Sequence, residues 1–354
     1  MTAPAPPAAS AKQPAWLWMV LVAALASAGV AVFRQARENW NPATPPKSLL
    51  YDDSQYRKTD PALVKYREAA PVATGFRQPR GIALSSDGRI FVAGDRAVRL
   101  FSKDGAQEKE WLLGGEPYCL AAGDGGKLYV GFMEHVEILG AGGTRTAQWE
   151  GLGKSARLTS LAVAGTDLWA ADAGNRVVLH YDAKGEIVGR YGERDEARKE
   201  PGLIVPSPHL DVAVASDGTV WFTNPGRHRL ENWALTGERI QTWGQPSQFG
   251  ETSGTDRTSG LSPNFPRRPE IHGFCGCCNP TDFAFLSDGR FVTSEKGIPR
   301  VKVYKADGTF ECVVAGAESF KNDDVGLDVA TDRDGRIYVL DPTVKAVRVF
   351  VPKE

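Results

Sequence analysis

The stretch Phe274-Cys-Gly-Cys-Cys278-Asn-Pro-Thr-Asp282-Phe-Ala-Phe-Leu-Ser-Asp288-Gly289-Arg-Phe-Val-Thr-Ser-Glu295-Lys-Gly-Ile-Pro-Arg300-Val-Lys-Val-Tyr304-Lys-Ala-Asp307-Gly308 joins two unlike things. From Asp282 onward it is built of short apolar runs that alternate at a period of two, broken by turn residues. That pattern predicts strands, with Asp288-Gly289 and Asp307-Gly308 as hairpins in which glycine supplies the positive φ. Ahead of it stands a cluster of three cysteines within four positions.

The second half recurs. Pro79-Arg80-Gly81-Ile82-Ala83-Leu84 is followed by Asp87-Gly88, then Ile90-Phe91-Val92-Ala93 and Val98-Arg99-Leu100-Phe101. Leu161-Ala162-Val163 is followed by Leu168-Trp169-Ala170-Ala171-Asp172 and Val177 to Tyr181. Leu327 to Ala330, with Asp334-Gly335, Ile337 to Asp341 and Val347 to Phe350, makes the last copy. Further copies begin at Pro117 and Asp211, giving six. Gly81, Cys119, Ser160, Asp211, Asp282 and Asp328 hold one equivalent position, at intervals of 38, 41, 51, 71 and 46. A period of about 40–50 residues with several short strands per copy predicts an all-β, six-bladed β-propeller. The last copy stops after its third strand, so Leu63 to Thr74 is expected to supply the fourth and close the ring.

Tyr338-Val-Leu-Asp341, Trp169-Ala-Ala-Asp-Ala-Gly-Asn-Arg-Val177 and Pro79-Arg-Gly-Ile-Ala83 resemble the repeat of the NHL family of six-bladed propellers. The resemblance covers roughly residues 63 to 353. It implies an NHL or TolB-like propeller and leaves function open, since such scaffolds host binding modules and enzymes alike.

The totals agree with this. Among 354 residues, 38 glycines and 23 prolines suit many turns. Forty-two basic against 43 acidic residues argue against a general nucleic-acid surface. Residues 1–14, rich in Ala and Pro, read as a disordered tail. Ala15 to Phe33 carries no charge and spans about 28 Å as a helix, close to a bilayer's hydrocarbon thickness. It reads as a retained transmembrane signal anchor. Ala26-Ser27-Ala28 offers the rival reading of a cleaved signal peptide. Residues 34–62 then form a linker and 63–354 the propeller, placed at the cell membrane, single-pass and outside the cytoplasm.

Two connectors are stretched, Gly192–Pro208 and Gly244–Gly273. Long loops on a rigid scaffold are expected to carry binding, so Phe249, Phe265, Arg267 and Arg268 are candidates, joined by Glu295 and Lys296 of the copy-five turn. For those last two the plain alternative is a solvated turn. His272, Cys275, Cys277 and Cys278 form a dense soft-ligand set that suits zinc, copper(I) or an iron–sulfur cluster. Disulfide bonding is the competing reading in an exported protein, with Cys119 as a further partner, and free thiols are the third. Cys312 reads as a small buried residue of an outer strand.

Cys119, Asp211, Asp282 and Asp328 start innermost strands, so they are expected to ring one mouth of the central channel, with His209 close by. Such a set could hold a divalent cation; the alternative is that these aspartates cap strand starts. The leading expectation is a binding or scaffold module that recognises a protein or small ligand at this mouth. A metal-dependent lyase or lactonase, and a redox or metal-handling protein using the thiols, are the alternatives. No Ser-His-Asp order, phosphate-binding glycine loop or Cys-x-x-Cys-His motif is present.

Overall fold

The computed structural model describes residues 19, 24, 27–30, 34, 56–244, 271–274, 278–323 and 325–353. Of the apolar segment, Met19, Ala24 and Ser27 to Val30 are described, and these are helical, as is Arg34 just after it. No helix among the described residues is long and apolar enough to cross a membrane. Residues from Asp53 on form a compact unit of their own.

That unit is a six-bladed propeller. Five blades are four-stranded antiparallel sheets in simple up-and-down order. Their innermost strands are Pro79–Leu84, Cys119–Ala122, Leu158–Ala164, Val212–Val214 and Asp282–Phe285. Blade 6 takes its first three strands from Asp328–Thr331, Ile337–Asp341 and Ala346–Pro352. Its outer edge comes from the other end of the domain: Tyr66–Glu68 and Val72–Ala73 both pair antiparallel with Ala346–Pro352, with Tyr66 opposite Pro352 and Val72 opposite Val347. The expected closure by Leu63–Thr74 is therefore present. It is reinforced by the Arg348 guanidinium, which donates to both carboxylate oxygens of Glu68 at 2.8 and 2.7 Å.

Contact with the domain starts before Leu63. Arg57 makes a two-pronged bond to Asp323, at 2.9 and 2.7 Å, and also reaches the carbonyl of Gly297. The linker boundary expected at residue 62 thus falls too late, because Arg57 and Thr59 are already held by Asp323 and Glu318.

Alternation on each strand feeds the spaces between blades. Val292, Val303 and Val314 of blade 5 meet Val329, Ile337 and Val339 of blade 6, all buried. Burial of each such side chain contributes about 1.5–3 kcal/mol. A second device recurs farther out. The outer edge of one blade presents a large side chain under the hairpin glycine of the next: Trp111 under Gly143, Trp149 under Gly185, Trp243 under Gly308 and Val72 under Gly105. Each of these glycines has a φ between 82° and 87°. Between blades 3 and 4 the same contact is polar, the Tyr191 hydroxyl donating to the Leu235 carbonyl at 3.1 Å.

The registers place the start of each innermost strand beside the end of the second, the start of the third and the end of the fourth. In blade 4, Val212 faces Phe222, Thr223 faces Leu230, and Leu230 faces Trp243. One face therefore carries the channel mouth and the turns between second and third strands; we call it the mouth face. The opposite, hairpin face carries the Asp-Gly turns.

Candidate functional site at the channel mouth

The ring position is a chain of latches between blades. Asp211 of blade 4 accepts the main-chain N–H of Phe283, in blade 5, at 2.7 Å. Asp282 accepts that of Val329, in blade 6, at 2.9 Å. Asp328 accepts that of Ile82, in blade 1, at 2.8 Å. Ser160 of blade 3 accepts the N–H of Val212 at 3.3 Å. In each case the acceptor is the first ring residue of one blade, and the donor follows the ring residue of the next. Gly81 has no side chain to offer. A Cβ there would lie 3.1 Å from the Cα of Cys119, so the close approach of blades 1 and 2 takes the place of a latch.

This arrangement brings three carboxyl groups together in a confined space. Asp211 is buried, and Asp282 and Asp328 are half-buried. Burial pushes Asp211 up to about 7, against the opposing bonds from Ser160, Phe283 and Val212. Burial also pushes Asp328 up to about 8, opposed by the Ile82 N–H and aided by the Asp211 charge. Asp282 is raised well above the usual carboxylate range by burial and by both neighbouring carboxylates. The side chains of Asp282 and Asp328 act on each other, a contact that raises Asp282 and lowers Asp328. The ring is therefore partly protonated near neutrality, because three anions cannot share so small a space.

His209, two residues ahead of Asp211, lies over the ring. A Cβ built on Gly326 would fall within 2.7 Å of His209 Nδ1. Gly326 precedes blade 6, and in a six-bladed ring blades 4 and 6 meet only across the channel, so the imidazole reaches toward the axis. Burial, reinforced by the charges of Lys296 and Arg157, lowers its pKa to about 4. The ring nitrogen is neutral at pH 7.

Cys119 stands on the same ring as a buried free thiol and is not a disulfide partner. Burial and the carboxylates of Asp328 and Asp211 push it far above the usual thiol range. It is a poor nucleophile and a poor metal ligand in consequence. Cys312 is buried in the outer strand of blade 5, as expected.

The copy-five candidates divide. Glu295 ends the second strand of blade 5 and is not part of a solvated turn, nor is it free for a partner. It is fully buried, bonded to Arg300 at 2.6 Å and ion-paired with Lys302. Two cations from the neighbouring strand compensate its burial. Lys302 also donates to the carbonyls of Ile271 and Gly273 at 3.1 and 2.6 Å, and Tyr304 donates to that of His272 at 3.2 Å. This cluster pins the residues leading to the cysteines. Lys296 is half-buried, and its main chain is clasped by the Asn279 amide in both directions, at 2.9 and 2.8 Å.

His272 is exposed, edge-on to the Phe310 ring at 5.1 Å. Cys278 is buried. Cys275, Cys277, Phe249, Phe265, Arg267 and Arg268 lie outside the described residues. Among the described residues no group of three or more His, Cys, Asp or Glu is arranged to hold a metal ion. Each ring carboxyl accepts a main-chain N–H across a blade junction.

Sequence reading gave no role to Ser160, Arg157 or Gly326. Ser160 was detectable, because it shares the register of the three aspartates.

Neither a family model nor a curated protein matches the chain. Solved structures do. A streptogramin B lyase structure superposes with a TM-score of 0.56 at 12% identity, over 83% of this chain and 100% of that one. Virginiamycin B lyase from Staphylococcus aureus gives 0.52 at 13%, over 82% and 99%. A protein of unknown function from Bacteroides thetaiotaomicron gives 0.56 at 16%, over 81% and 72%. At these identities the likeness establishes the six-bladed propeller and nothing finer.

Proposed function

We propose that this chain is a membrane-anchored, exported propeller of NHL type that acts as a binding module through its mouth face. One observation carries the reading: the ring carboxyls, the best candidates for metal chemistry, are engaged in holding blade to blade. The repeat departs most from regularity at 192–208 and 244–273, and each stretch leads in sequence to an innermost strand that starts at the channel mouth. In this reading the uncharged segment 15–33 is the anchor, and the cysteine cluster stiffens the longer connector or holds a soft metal there.

The test is site-specific photo-cross-linking in intact membranes. Probes at the exposed Glu134 and Thr343 sample the mouth face, and probes at Asp104 and Asp307 the hairpin face. Defined adducts confined to the first pair support the reading. Equal adducts on both faces, or none, overturn it.

A lyase is the second reading. The neutral His209 beside carboxyls that titrate near pH 7 favours it, because such a pair can take and return a proton. Elemental analysis of the full chain, purified without chelator, separates the two. Stoichiometric metal that is lost on Asp282→Asn would favour the enzyme.

A further inference from the structure

The turns between second and third strands make a ring of tips on the mouth face, one per blade. Arg96, Arg176 and Lys345 end the tips of blades 1, 3 and 6, and all three are exposed. They hold one turn position, the residue before the third strand, with φ of 62°, 58° and 57°. Glycine or asparagine is the usual occupant of that left-handed conformation, because a larger side chain is strained there. A basic residue at such a position in three blades points to a use for its charge. None of the three forms an ion pair among the described residues; Arg96 donates to the Gly114 carbonyl at 2.6 Å. Lys296, half-buried on the tip of blade 5, adds a further positive charge.

The carboxylates of the tips are Asp95 and Glu134. Asp95 is held by the main-chain N–H groups of Arg77 and Gln78, at 2.6 and 3.0 Å. Blade 2 is the exception, with Glu134 exposed on its tip. Close to the tips, Glu116 and Asp323 each face an arginine. The hairpin face is built otherwise. There Arg89 pairs with Asp87, Arg290 with Asp288 and Arg336 with Asp334, each beside one turn. Met133 and Val344 stand out from the ring of tips, 37% and 39% exposed. Basic side chains with apolar ones among them suit a lipid surface, the charges meeting anionic headgroups and the apolar groups the boundary beneath.

The path of the chain favours a membrane over a soluble acidic partner. The chain enters the propeller on this face, where Arg57 bonds to Asp323 and to the carbonyl of Gly297 on the tip of blade 5. The uncharged segment 15–33 precedes that attachment.

We propose that the mouth face rests on the anionic surface of the membrane that anchors the chain, with Arg96, Arg176 and Lys345 among the lipid headgroups. This rests on the binding reading above, anchor included, and names the partner of that face.

The experiment uses the full chain in lipid nanodiscs, made of phosphatidylcholine alone or with about one third phosphatidylglycerol. A fluorescent amino acid is placed at Thr343, on the mouth face, or at Asp307, on the hairpin face, both exposed. Spin-labelled headgroups quench it when it lies at the lipid surface. In anionic discs quenching at Thr343 should exceed that at Asp307 by a factor of about three. The difference should shrink in neutral discs, and in anionic discs at about 0.5 M salt, where the charges are screened. Arg96→Gln/Arg176→Gln/Lys345→Gln should give the neutral-disc value in anionic discs. All three side chains are exposed, and an unchanged melting temperature confirms that the variant folds. The salt arm needs no variant.

Equal quenching at the two positions overturns the proposal. So does quenching at Thr343 that is the same in neutral and anionic discs, or a triple variant that behaves as wild type. A chain that does not enter the discs has no anchor and overturns it as well. The cross-links report separately. If Glu134 and Thr343 still capture a protein while the lipid response fails, the binding reading stands and its partner is a protein. If they capture nothing, that reading falls too.

Discussion

Asp328 accepts the main-chain N–H of Ile82 at 2.8 Å, across the junction between the last blade and the first. The ring is thus closed twice: at its rim by Tyr66–Glu68, and at its axis by one carboxyl oxygen. The inner closure is chemically simple to test. Asp328→Asn keeps an acceptor oxygen at that place, whereas Asp328→Ala leaves a buried N–H without a partner. The alanine variant should lose about 1–3 kcal/mol in denaturant unfolding, with the asparagine variant close to wild type. Equal losses for both would show that the charge, and not the acceptor, matters.

The same carboxyls set a pH dependence. An acid whose folded pKa lies above its unfolded value binds its proton more tightly when folded. Stability then falls as pH rises from the unfolded value to the folded one, here from 3.8 to about 7 for Asp211 and about 8 for Asp328. His209 acts in the opposite sense: its folded value of about 4 lies below 6.5, so its contribution is lost as pH falls through that window. From pH 6.5 to 8 only the carboxyls remain. The melting temperature should decline over that interval, and the decline should be shallower in Asp328→Asn. A flat profile in wild type would mean that the ring is ionised throughout.

Glu295 should be among the costliest single changes in blade 5. Glu295→Ala leaves Arg300 and Lys302 buried without their shared carboxylate, and a loss of about 3–5 kcal/mol is expected. Lys302→Met removes one of those charges and keeps much of the volume. It should cost less, yet raise hydrogen exchange at residues 271–274, whose carbonyls Lys302 holds.

Gly308 combines a φ of 82° with the Trp243 indole directly over it. Gly308→Ala should destabilise by about 1–3 kcal/mol and redshift Trp243 fluorescence, because the ring has to move toward solvent. Gly218→Ala has a similar φ of 83° and open space above it, so it isolates the backbone contribution.

How much of this the sequence revealed depends on which signal was local. The six copies were legible because Asp-Gly turns and period-two alternation mark a hairpin within a few residues. The latch aspartates were legible as a register, because Asp211, Asp282 and Asp328 fall at one place in the repeat. Their bonding was not, since each donor lies in another blade, 246 positions away in the case of Asp328 and Ile82. Glu295 was misread because Glu-Lys-Gly resembles an exposed turn. The correction lay in Arg300 and Lys302, two cations inside an otherwise apolar strand, with Arg300 directly opposite Glu295. His209 sits in a connector without repeat signature, and only the closing of blades 4 and 6 around the channel shows what it faces.

The rim closure also sets the order of events during synthesis. Glu68 leaves the ribosome early and bonds to Arg348, 280 positions later. Until that partner emerges, blade 6 has no central strands for Tyr66–Glu68 to join, and blades 1 and 5 each expose an unpacked flank. Contacts so distant in sequence slow folding and prolong exposure of open edges. A chain interrupted before Ala346 therefore cannot complete its ring. The arrangement marks incomplete copies by the very surface that quality-control proteases and chaperones recognise.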